Sequence, residues 1–553
     1  MKSLMLEPLA ESLEDSQRPF VRLPRKIQEV GQEIGISPDD LIPYGQHFAK
    51  IRLKPSVPAA RQGKLILVTG ITPTAHGEGK TVTTIGLAQS IRSLGHAAIA
   101  TVRQPSMGPV FGLKGGATGG GMAKVVPSEL INLHFTGDFH AIASAHNLLA
   151  ALVEAHIFHG NELDIDPDQI VWPRTLDVND RALRRITVCE GKSNGQPHPA
   201  QFVITAASEV MAIFALASSY EDLRRRLANI VVAFKRSGEP VRAGDVQGVG
   251  GMMVLLRDAL QPNLAQTEDG TPAIIHAGPF ANIAHGTASV LAQRVALEHS
   301  DYVLNEAGFG ADLGAEKYFD IVMPSSGLKP SAAVVVATLR AIVAQGDGKL
   351  SAGLANLSRH LNIVRNFGVP AVVAINCFPN DTLTDLTFVR DYCLTRGVEC
   401  GLSEVFDHGV MGGLDVAEKV IAAANSGQAN PQPLYARELP LEQKVETIAR
   451  RIYGADGVQF SDAAKMKLDH FANLGFGHFP VCIAKTPLSF TDDPKRLGAP
   501  TGWTLPITDF VVSAGAEFVV AIAGTTMRMP GLGKHPQAFG MDLTPDGEMI
   551  GVV

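Results

Sequence analysis

The sequence lacks a clustered excess of basic residues. Its 553 residues include 48 Lys and Arg against 55 Asp and Glu, so the formal net charge is −7. A surface that binds the phosphates of DNA or RNA needs grouped positive charge. The composition therefore excludes a broad nucleic-acid face, and any site for an anion has to be local.

Cysteine is scarce as well, with five residues and no C-x-x-C pair. An odd count without paired spacing argues against both a disulfide framework and a zinc site. Free thiols are typical of a reducing compartment, so the cysteines favour a cytoplasmic protein.

Long apolar runs are also missing. The opening segment, MKSLMLEPLAESLEDS, mixes charged and apolar residues and lacks the apolar core of a secretory signal. A membrane-spanning helix needs roughly 18 apolar residues in succession. The longest candidate run, 511–523, is interrupted by Glu517. These absences predict a soluble protein.

What the sequence does contain is a regular alternation of strand and helix signals. The continuous apolar run 64–69 (KLILVT) is typical of a buried parallel strand. A helix over 80–94 and a strand over 96–103 complete a βαβ unit. The alternation continues with strands at 272–277, 301–305, 371–376 and 481–484, a strand–helix run at 332–343, and helices at 284–299, 354–367, 383–395, 416–426, 441–452 and 463–474.

This alternation predicts an α/β protein with helices on both faces of parallel sheets. The length is too great for one hydrophobic core, so about two to four domains are expected. Residues 1–60 are interpreted as a helical lead-in with breaks, and the proline-dense segment 430–440 marks a domain boundary.

A glycine-rich segment, 108–121 (GPVFGLKGGATGGG), has seven glycines in fourteen residues and is predicted to be a loop without regular structure. Flexible linkers are usually polar and rich in serine. This segment instead carries Val110, Phe111, Leu113 and Lys114, which favours an ordered, packed loop over a linker. Lys114 is interpreted as a solvated charge.

The strongest local motif is a phosphate loop at 70–81, which follows an apolar strand, ends in Gly-Lys-Thr and opens a helix. Backbone N–H groups at a helix N-terminus attract anions. The segment predicted to cradle the ATP phosphates is Thr74, Ala75, His76, Gly77, Glu78, Gly79, Lys80 and Thr81. Lys80 is expected to reach the β- and γ-phosphates, and the Thr81 hydroxyl is the candidate Mg²⁺ ligand.

The loop departs from the usual pattern, because Thr74 stands where the first glycine is expected. A glycine-rich turn with a surface lysine is the alternative interpretation. The predicted fold class is α/β, with a P-loop NTPase-like parallel-sheet domain and additional smaller α/β domains. A guanine switch is disfavoured, since no Asn-Lys-x-Asp motif is present.

Arg103 lies at the end of the second predicted strand, 23 residues after Lys80. Ligands of open α/β sheets bind beyond the carboxyl ends of the strands. A guanidinium there suits bidentate contact with a carboxylate or phosphate. Lys80 and Arg103 are therefore the candidate catalytic residues, and a salt bridge at the rim is the alternative for Arg103.

Eight segments together resemble the formate–tetrahydrofolate ligase family. In chain order they are TPTAHGEGKTVTT (72–84), RQPSMGPVFGLKGGATGGG (103–121), INLHFTGDFHAI (131–142), GPFANIAHG (278–286), EAGFGADLGAEKYFDI (306–321), FPNDT (378–382), LGAPTGWTLP (497–506) and MPGL (529–532). The resemblance covers nearly the whole chain. It implies a three-domain α/β homotetramer that joins formate to tetrahydrofolate through formyl phosphate, with ATP, Mg²⁺ and a K⁺ or NH₄⁺ ion as cofactors.

The resemblance also assigns residue roles. Arg103 would hold formate or formyl phosphate, and Phe378-Pro379 with Phe406 would sandwich the pterin. The family pattern has Trp at the position of Phe406 and often Glu at that of Gln104. A smaller ring stacks over less area, and Gln cannot act as a base. Phe309 is expected to line the same pocket, and a core position is the alternative for Phe406.

The same segments contain further titratable residues without assigned roles. Glu306 and Asp312 are candidate Mg²⁺ neighbours, with helix capping as the alternative for Asp312. The histidines of these segments, for which structural roles are favoured, are His134, His140, His276 and His285.

The expected organisation is a nucleotide-binding domain with the lead-in (1–355), an α/β domain that contributes the folate slot (356–435) and a C-terminal α/β domain (436–553). A P-loop ATPase switch and a ligase for another carboxylate remain alternative functions.

Overall fold

The computed structural model describes residues 24–54, 62–74, 77–112, 118–524 and 527–552. Its helices span Ile27–Glu33, Lys80–Ser93, Met107–Phe111, Ser128–Asn132, Asp138–Phe158, Glu209–Leu216, Tyr220–Ala228, Val249–Leu256, Val290–His299, Met323–Ser326, Leu339–Gln345, Leu350–Asn366, Leu383–Thr395, Val405–His408, Leu414–Asn425, Leu441–Ile448 and Asp462–Asn473. Short π-helical turns cover Ala311–Ala315, Tyr318–Val322 and Ala449–Tyr453.

A large, mostly parallel sheet forms the centre of the molecule. Its main path runs through Leu41–Tyr44, Phe48–Ile51, Asn263–Thr267, Pro272–Ile275, Ala98–Val102, Tyr302–Glu306, Lys64–Gly70, Pro330–Ala337, Ala371–Asn376 and Glu399–Ser403. The last seven strands of this path run parallel to one another. Buried residues pack on both faces of the sheet, which explains why these strands are continuous apolar runs. The predicted α/β class is confirmed.

Smaller sheets flank the central one. Strands Ile165–Ile170, Val231–Lys235 and Pro240–Arg242 form a three-stranded sheet. Strands Gly457–Phe460, Thr504–Ser513, Phe518–Ala523 and Val481–Ala484 form a four-stranded sheet near the C-terminus. Three further two-stranded pairs are present: Ile186–Val188 with His198–Ala200, Arg174–Leu176 with Phe202–Ile204, and Asp542–Leu543 with Met549–Ile550.

Many element bounds agree with the sequence predictions. The strand Ala371–Asn376 and the helix Leu383–Thr395 coincide with them, and the side chain of Thr382 caps that helix by accepting from the Asp385 N–H. The helix predicted from residue 284 begins later, at Val290, because Ser289 is extended and its hydroxyl caps the helix.

Two sequence predictions need correction. Within the described part of the lead-in, Leu41–Tyr44 and Phe48–Ile51 form an antiparallel hairpin rather than helix. Every residue of Phe48–Ile51 is buried, since this strand joins the central sheet at Asn263–Thr267. The glycine-rich segment is not wholly irregular either: Met107–Phe111 is helical, Gly119–Gly120 pairs with Ala123–Val126, and Leu113 and Lys114 lie outside the described residues.

The helix Asp138–Phe158 is long and apolar enough to cross a membrane by length and composition. The sequence prediction missed it because charged and imidazole side chains interrupt its apolar run. Its Phe139, Ile142 and Leu149 are buried in the main core. Asp138 at its start forms a buried ion pair of 2.7 Å with Lys50. These contacts identify it as a helix of the protein core.

Candidate active site

Three neighbouring parallel strands end at the same edge of the central sheet and bring the predicted catalytic residues together. The strand Tyr302–Glu306 lies between Lys64–Gly70 and Ala98–Val102. Gly70 leads into the phosphate loop, Val102 is followed by Arg103, and Glu306 is itself the last residue of its strand. The edge therefore collects side chains that are distant in sequence.

The phosphate loop folds around the buried carboxylate of Glu78. One carboxylate oxygen accepts from the Thr74 N–H at 2.6 Å, and the other accepts from the Thr338 hydroxyl. Gly77 and Gly79 have φ angles of 74° and 75°, in the left-handed region that glycine tolerates. The side chain of Glu78 therefore stabilises the loop through hydrogen bonds within the protein. Ala75 and His76 lie outside the described residues.

Lys80 is the first residue of the helix Lys80–Ser93, directly after Gly79. Burial lowers the pKa of its ammonium group, Glu306 and Glu78 counteract that effect, and the charge of Arg103 adds to it. The adjacent Thr81 donates its hydroxyl to Oε2 of Glu306 at 2.9 Å. The start of this helix is therefore electrostatically coupled to the neighbouring strand.

Arg103 is held on the opposite side of the same carboxylate. Its Nη2 lies 3.1 Å from Oε1 of Glu306, and its Nη1 donates to the Pro279 carbonyl at 3.2 Å. Its side chain is 23% exposed. A Cβ at Gly308 would lie 3.0 Å and 3.1 Å from Nη1 and Nη2, so backbone packs closely against the guanidinium.

Glu306 is the common partner of these groups. Burial alone would raise the pKa of its carboxyl, but the charges of Arg103 and Lys80 and two hydrogen bonds outweigh burial and lower it. The carboxylate is therefore ionised at neutral pH. Arg103 therefore does form a salt bridge, as the alternative interpretation expected. Its partner, Glu306, is buried, so the salt bridge does not lie at the rim.

The residues predicted for the folate slot follow two adjacent strands. Phe378 and Pro379 come after Ala371–Asn376, and Phe406 comes after Glu399–Ser403, with Asn376 paired to Ser403 at the shared edge. The Phe378 and Phe406 rings are 36% and 48% exposed. Phe406 is therefore not a core residue, and both rings are accessible to a ligand.

Each ring has a specific neighbour. The guanidinium of Arg340 lies over the Phe378 ring, 4.5 Å from its centroid, and also donates to the carbonyl of Gly77 in the phosphate loop. The Phe406 ring packs on the backbone of Gly120, where a Cβ would lie 2.9 Å from Cε2. Arg340 thus connects the predicted folate residues to the phosphate loop.

Gln104 and Phe309 lie beside the charged centre in the chain. Gln104 is buried, its N–H donates to the Ala277 carbonyl at 2.6 Å, and its Oε1 has no hydrogen-bond partner among the described residues. Phe309 follows Gly308 with a φ of 57°, a left-handed conformation that non-glycine residues rarely adopt.

Asp312 and His276 make buried contacts within the protein, whereas two other histidines named in the sequence analysis are exposed. Asp312 forms a buried ion pair of 2.8 Å with Lys485. The helical turn that contains it is capped at Gly310, so Asp312 is not the cap. His276 is buried between the Ser289 hydroxyl and the Ala259 carbonyl, and burial lowers its pKa to about 4. His134 and His140 are exposed.

His285 is fully buried, and neither ring nitrogen has a hydrogen-bond partner among the described residues. Burial, followed by the charges of Arg226, Lys317 and Arg103, lowers its pKa to about 3. The ring is therefore neutral across the physiological range.

Sequence reasoning missed Arg340 and Thr338. Both follow the strand Pro330–Ala337, whose carboxyl end lies next to that of Lys64–Gly70. Polar residues directly after a predicted parallel strand were the available signal.

Comparison with known proteins gives one consistent result. A family model described as formate–tetrahydrofolate ligase matches residues 18–553. Proteins named formate–tetrahydrofolate ligase from Granulibacter bethesdensis and Ruegeria pomeroyi are 49% and 50% identical, and the alignments cover 98% and 95% of this chain and 97% of each relative. A protein of the same name from Thermotoga petrophila is 48% identical over 96% of this chain and 100% of its own length.

Proposed function

Since the chain belongs to the formate–tetrahydrofolate ligase family, its reaction is the ATP-dependent ligation of formate to tetrahydrofolate, and we propose that formyl phosphate is the intermediate. A formate oxygen attacks the γ-phosphorus of ATP, and the bond to the ADP oxygen breaks. N10 of tetrahydrofolate then attacks the formyl carbon, the carbon–oxygen bond to phosphate breaks, and N10 releases its proton to solvent. The products are 10-formyltetrahydrofolate, ADP and phosphate.

The observation that carries this proposal is the convergence of Lys80, Thr81 and Arg103 around the Glu306 carboxylate. Formate attack on ATP brings two anions together, so positioning and charge neutralisation supply most of the catalysis. Lys80 contacts the transferring phosphoryl group in this scheme. Arg103 turns its exposed face to formate and afterwards holds formyl phosphate.

Glu306 has a positioning role in this scheme. Its ionised carboxylate holds the Arg103 guanidinium by one oxygen and the Thr81 hydroxyl by the other. A guanidinium fixed on one side has fewer conformations to lose when formate binds on the other side. Glu306 therefore orients the groups that bind the substrates and takes no part in bond making.

We propose Mg²⁺ at the same point. The Thr81 hydroxyl and the Glu306 carboxylate meet at 2.9 Å, and oxygens of these two kinds are the ligands that Mg²⁺ prefers. The residues therefore fit the ion. A bound Mg²⁺ would supply neutralisation of the β- and γ-phosphate charge, while the protein side chains fix its position.

The folate slot is proposed between Phe378-Pro379 and Phe406. The exposed rings follow adjacent parallel strands on the edge that also carries the phosphate loop. Flat pterin rings stack well on aromatic faces. Gln104 and Phe309 are proposed to complete the pocket near Arg103, where Gln104 orients the folate by hydrogen bonding.

Further properties follow from family membership as proposals. These are a homotetrameric assembly, a cytoplasmic location, activation by K⁺ or NH₄⁺, and the three-unit organisation 1–355, 356–435 and 436–553. The family membership of the whole chain leaves the alternatives, a P-loop ATPase switch and a ligase for another carboxylate, without comparable support.

An oxygen-labelling experiment tests the intermediate. Formate labelled with ¹⁸O is incubated with the enzyme, ATP and tetrahydrofolate, and both the formylated folate and the phosphate are analysed by mass spectrometry. Attack by formate on the γ-phosphorus leaves one formate oxygen on the released phosphate, so labelled phosphate is expected in proportion to product. Unlabelled phosphate alongside formylated folate would overturn the formyl phosphate route, and ATP turnover indifferent to both substrates would support the switch alternative.

A further inference from the structure

A cavity of about 1030 Å³ lies apart from the phosphate loop. Its wall is formed by residues of the small sheets between 166 and 238 and by the C-terminal segment 463–528, together with Glu154 of the long helix Asp138–Phe158. None of its lining residues belongs to the group formed by Lys80, Arg103 and Glu306. The established reaction therefore gives this cavity no role.

Three different metal-binding side chains meet beside this cavity: Glu154 and His198 belong to its lining, and Cys189 lies next to them. Single ligand atoms of Glu154, Cys189 and His198 lie within 4.8 Å of one another, and no other such group of His, Cys, Asp and Glu occurs among the residues that the structure describes. Glu154 comes from the long helix. Cys189 directly follows the strand Ile186–Val188, which pairs antiparallel with His198–Ala200. This antiparallel pair of strands, called the ribbon below, therefore places Cys189 beside His198, and both residues face the helix.

The separations between the ligand atoms match a tetrahedral zinc site. His198 Nε2 lies 3.3 Å from Glu154 Oε1, and Cys189 Sγ lies 3.8 Å from Glu154 Oε2. Zinc binds nitrogen and oxygen at about 2.0 Å and sulfur at about 2.3 Å, so tetrahedral ligand pairs are roughly 3.3 Å (N and O) and 3.5 Å (S and O) apart. The two contacts involve different oxygens of the carboxylate, so Glu154 has to rotate until one oxygen faces both partners when the side chains close on an ion.

The hydrogen bonding of His198 indicates that a positive species belongs between the ring and Glu154. Its Nδ1 lies 3.0 Å from the Gln196 carbonyl, which only accepts hydrogen bonds, so Nδ1 carries the proton in the neutral ring. The lone pair of Nε2 then faces the Glu154 carboxylate, and two acceptors repel unless a proton or a cation lies between them. A backbone carbonyl on Nδ1, which leaves the lone pair of Nε2 to face another group, is the arrangement typical of a metal-binding histidine.

Burial and backbone conformation support the same interpretation. His198 is buried, so water cannot readily separate its ring from the carboxylate. Cys189 has a φ of 61°, a left-handed conformation that is strained for a residue with a side chain. Strain of this kind is retained where the surrounding structure requires it, often at ligand sites.

We propose that Glu154, Cys189 and His198 bind one Zn²⁺ ion, with a water molecule as the fourth ligand on the cavity side. Zinc accepts this mixture of oxygen, sulfur and nitrogen donors. Binding releases the Cys189 thiol proton to solvent, together with any proton on Nε2 of His198. Arg174 lies 3.3 Å from Glu154 Oε1 and remains hydrogen-bonded to the bound carboxylate, which it orients.

Cysteine spacing concealed this site in the sequence. The chain has no C-x-x-C pair, and the three ligands stand at positions 154, 189 and 198 on three separate elements. Only the packing of the ribbon against the long helix brings them together.

Cobalt spectroscopy on the full-length protein tests the proposal. Metal is removed with a chelator, and Co²⁺ is added while the near-ultraviolet thiolate-to-cobalt charge-transfer band and the visible bands of tetrahedral Co²⁺ are recorded. The expected result is one Co²⁺ per chain and loss of both signals when Zn²⁺ displaces cobalt. Cys189→Ser is expected to abolish the charge-transfer band, and His198→Gln to weaken Co²⁺ binding by more than the roughly 10–100-fold that loss of an orienting partner of a ligand causes.

A matched control and a second measurement guard against misfolded variants. Cys377 is also partly buried and free, so Cys377→Ser should keep the band. In the unmodified protein, Zn²⁺ should protect Cys189 from alkylation, as identified by peptide mass, while Cys377 reacts at an unchanged rate. Absence of the charge-transfer band in the folded wild-type protein, its persistence in Cys189→Ser, or alkylation of Cys189 unaffected by Zn²⁺ would each overturn the zinc site.

Discussion

Arg103 Nη2 lies 3.1 Å from Oε1 of Glu306, and the other oxygen of that carboxylate accepts from the Thr81 hydroxyl. One side chain at the end of a central strand thus links the start of the phosphate-loop helix to the arginine of the next strand. Formate is also a carboxylate, so the proposed binding of formate to Arg103 would resemble a contact that the protein already makes internally. The predictions for the active site follow from this arrangement.

Arg103→Ala is expected to lower formate-dependent turnover by roughly 10²–10³-fold, the usual loss for one preorganised electrostatic contact. ADP affinity should stay within a factor of a few, because Lys80 and the loop are unchanged. Arg103→Lys should recover only part of the rate, since an ammonium cannot contact a carboxylate bidentately. The control is Arg257→Ala, since Arg257 is an exposed arginine that pairs with its neighbour Asp258. Equal activity of Arg103→Ala and the control would contradict the role of Arg103.

Lys80→Ala should abolish ligation while the protein stays folded by circular dichroism. Lys80 is half-buried and interacts with the carboxylates of Glu306 and Glu78, so its ammonium supplies positive charge at the start of the helix. Lys80→Arg should also lose most of the activity, because a planar guanidinium cannot replace the compact point charge of the ammonium. Steady-state assays and calorimetric ATP titration would show the effect. Substantial activity in Lys80→Ala would remove the basis for a phosphate loop here.

Gly308→Ala should disturb Arg103 without altering a charge. The added methyl would lie 2.7 Å from Cβ of Ala281 and 3.0 Å from Nη1 of Arg103, so Ala281 or the backbone has to shift and the guanidinium has to yield slightly. We expect kcat/KM for formate to fall by about tenfold or more, as misplacement of a positioning group commonly causes. Gly250→Ala is the matched control, because its Cβ would meet no atom within 4 Å. Unchanged formate kinetics in Gly308→Ala would show that the position of Arg103 is not critical.

Phe406→Trp should lower the KM for tetrahydrofolate, since an indole offers more stacking area than a phenyl ring. The ring is 48% exposed and rests on Gly120, so the larger side chain can extend toward solvent without a clash in the core. Phe388→Trp, at a ring that is 47% exposed on another helix, is the control. An unchanged KM in Phe406→Trp would place this ring outside the folate slot.

His285→Leu should change the dependence of stability on pH. The pKa of His285 falls from 6.5 to about 3 on folding, first because of burial and then because of nearby positive charges. The folded state therefore binds fewer protons than the unfolded state below pH 6.5, and wild-type stability is lost as the pH falls. At pH 5 this penalty is about 2 kcal/mol.

Removing the imidazole removes that penalty, and no hydrogen bond among the described residues is broken. Urea unfolding at pH 7.5 and pH 5 should show the His285→Leu variant gaining about 2 kcal/mol in free energy of unfolding relative to wild type between the two values. If wild type and variant lose the same free energy of unfolding between the two pH values, His285 is already protonated in the folded state at pH 5.

A large share of the fold could be predicted from local sequence patterns. The strand Ala371–Asn376 and the helix Leu383–Thr395 have the predicted bounds because burial of an apolar run and a Thr382 cap are both encoded within a few residues. The hairpin at Leu41–Tyr44 and Phe48–Ile51 was missed, since its strands are short and are stabilised by a distant partner at Asn263–Thr267. The type of an element could be predicted from the sequence where the contacts that stabilise the element are local.

The sequence by itself determined that Lys80 begins a helix after a glycine-rich loop and that Arg103 lies at the carboxyl end of the next strand, because both follow from hydrophobic periodicity and short-range turn chemistry. Only the tertiary structure decided that Glu306 joins them, that Arg340 reaches both Phe378 and the loop, and that Cys189 and His198 meet Glu154. Those contacts depend on the order in which strands pair and on how helices pack against them. Such long-range choices are fixed by burial of the whole core and leave no periodic signal in the chain.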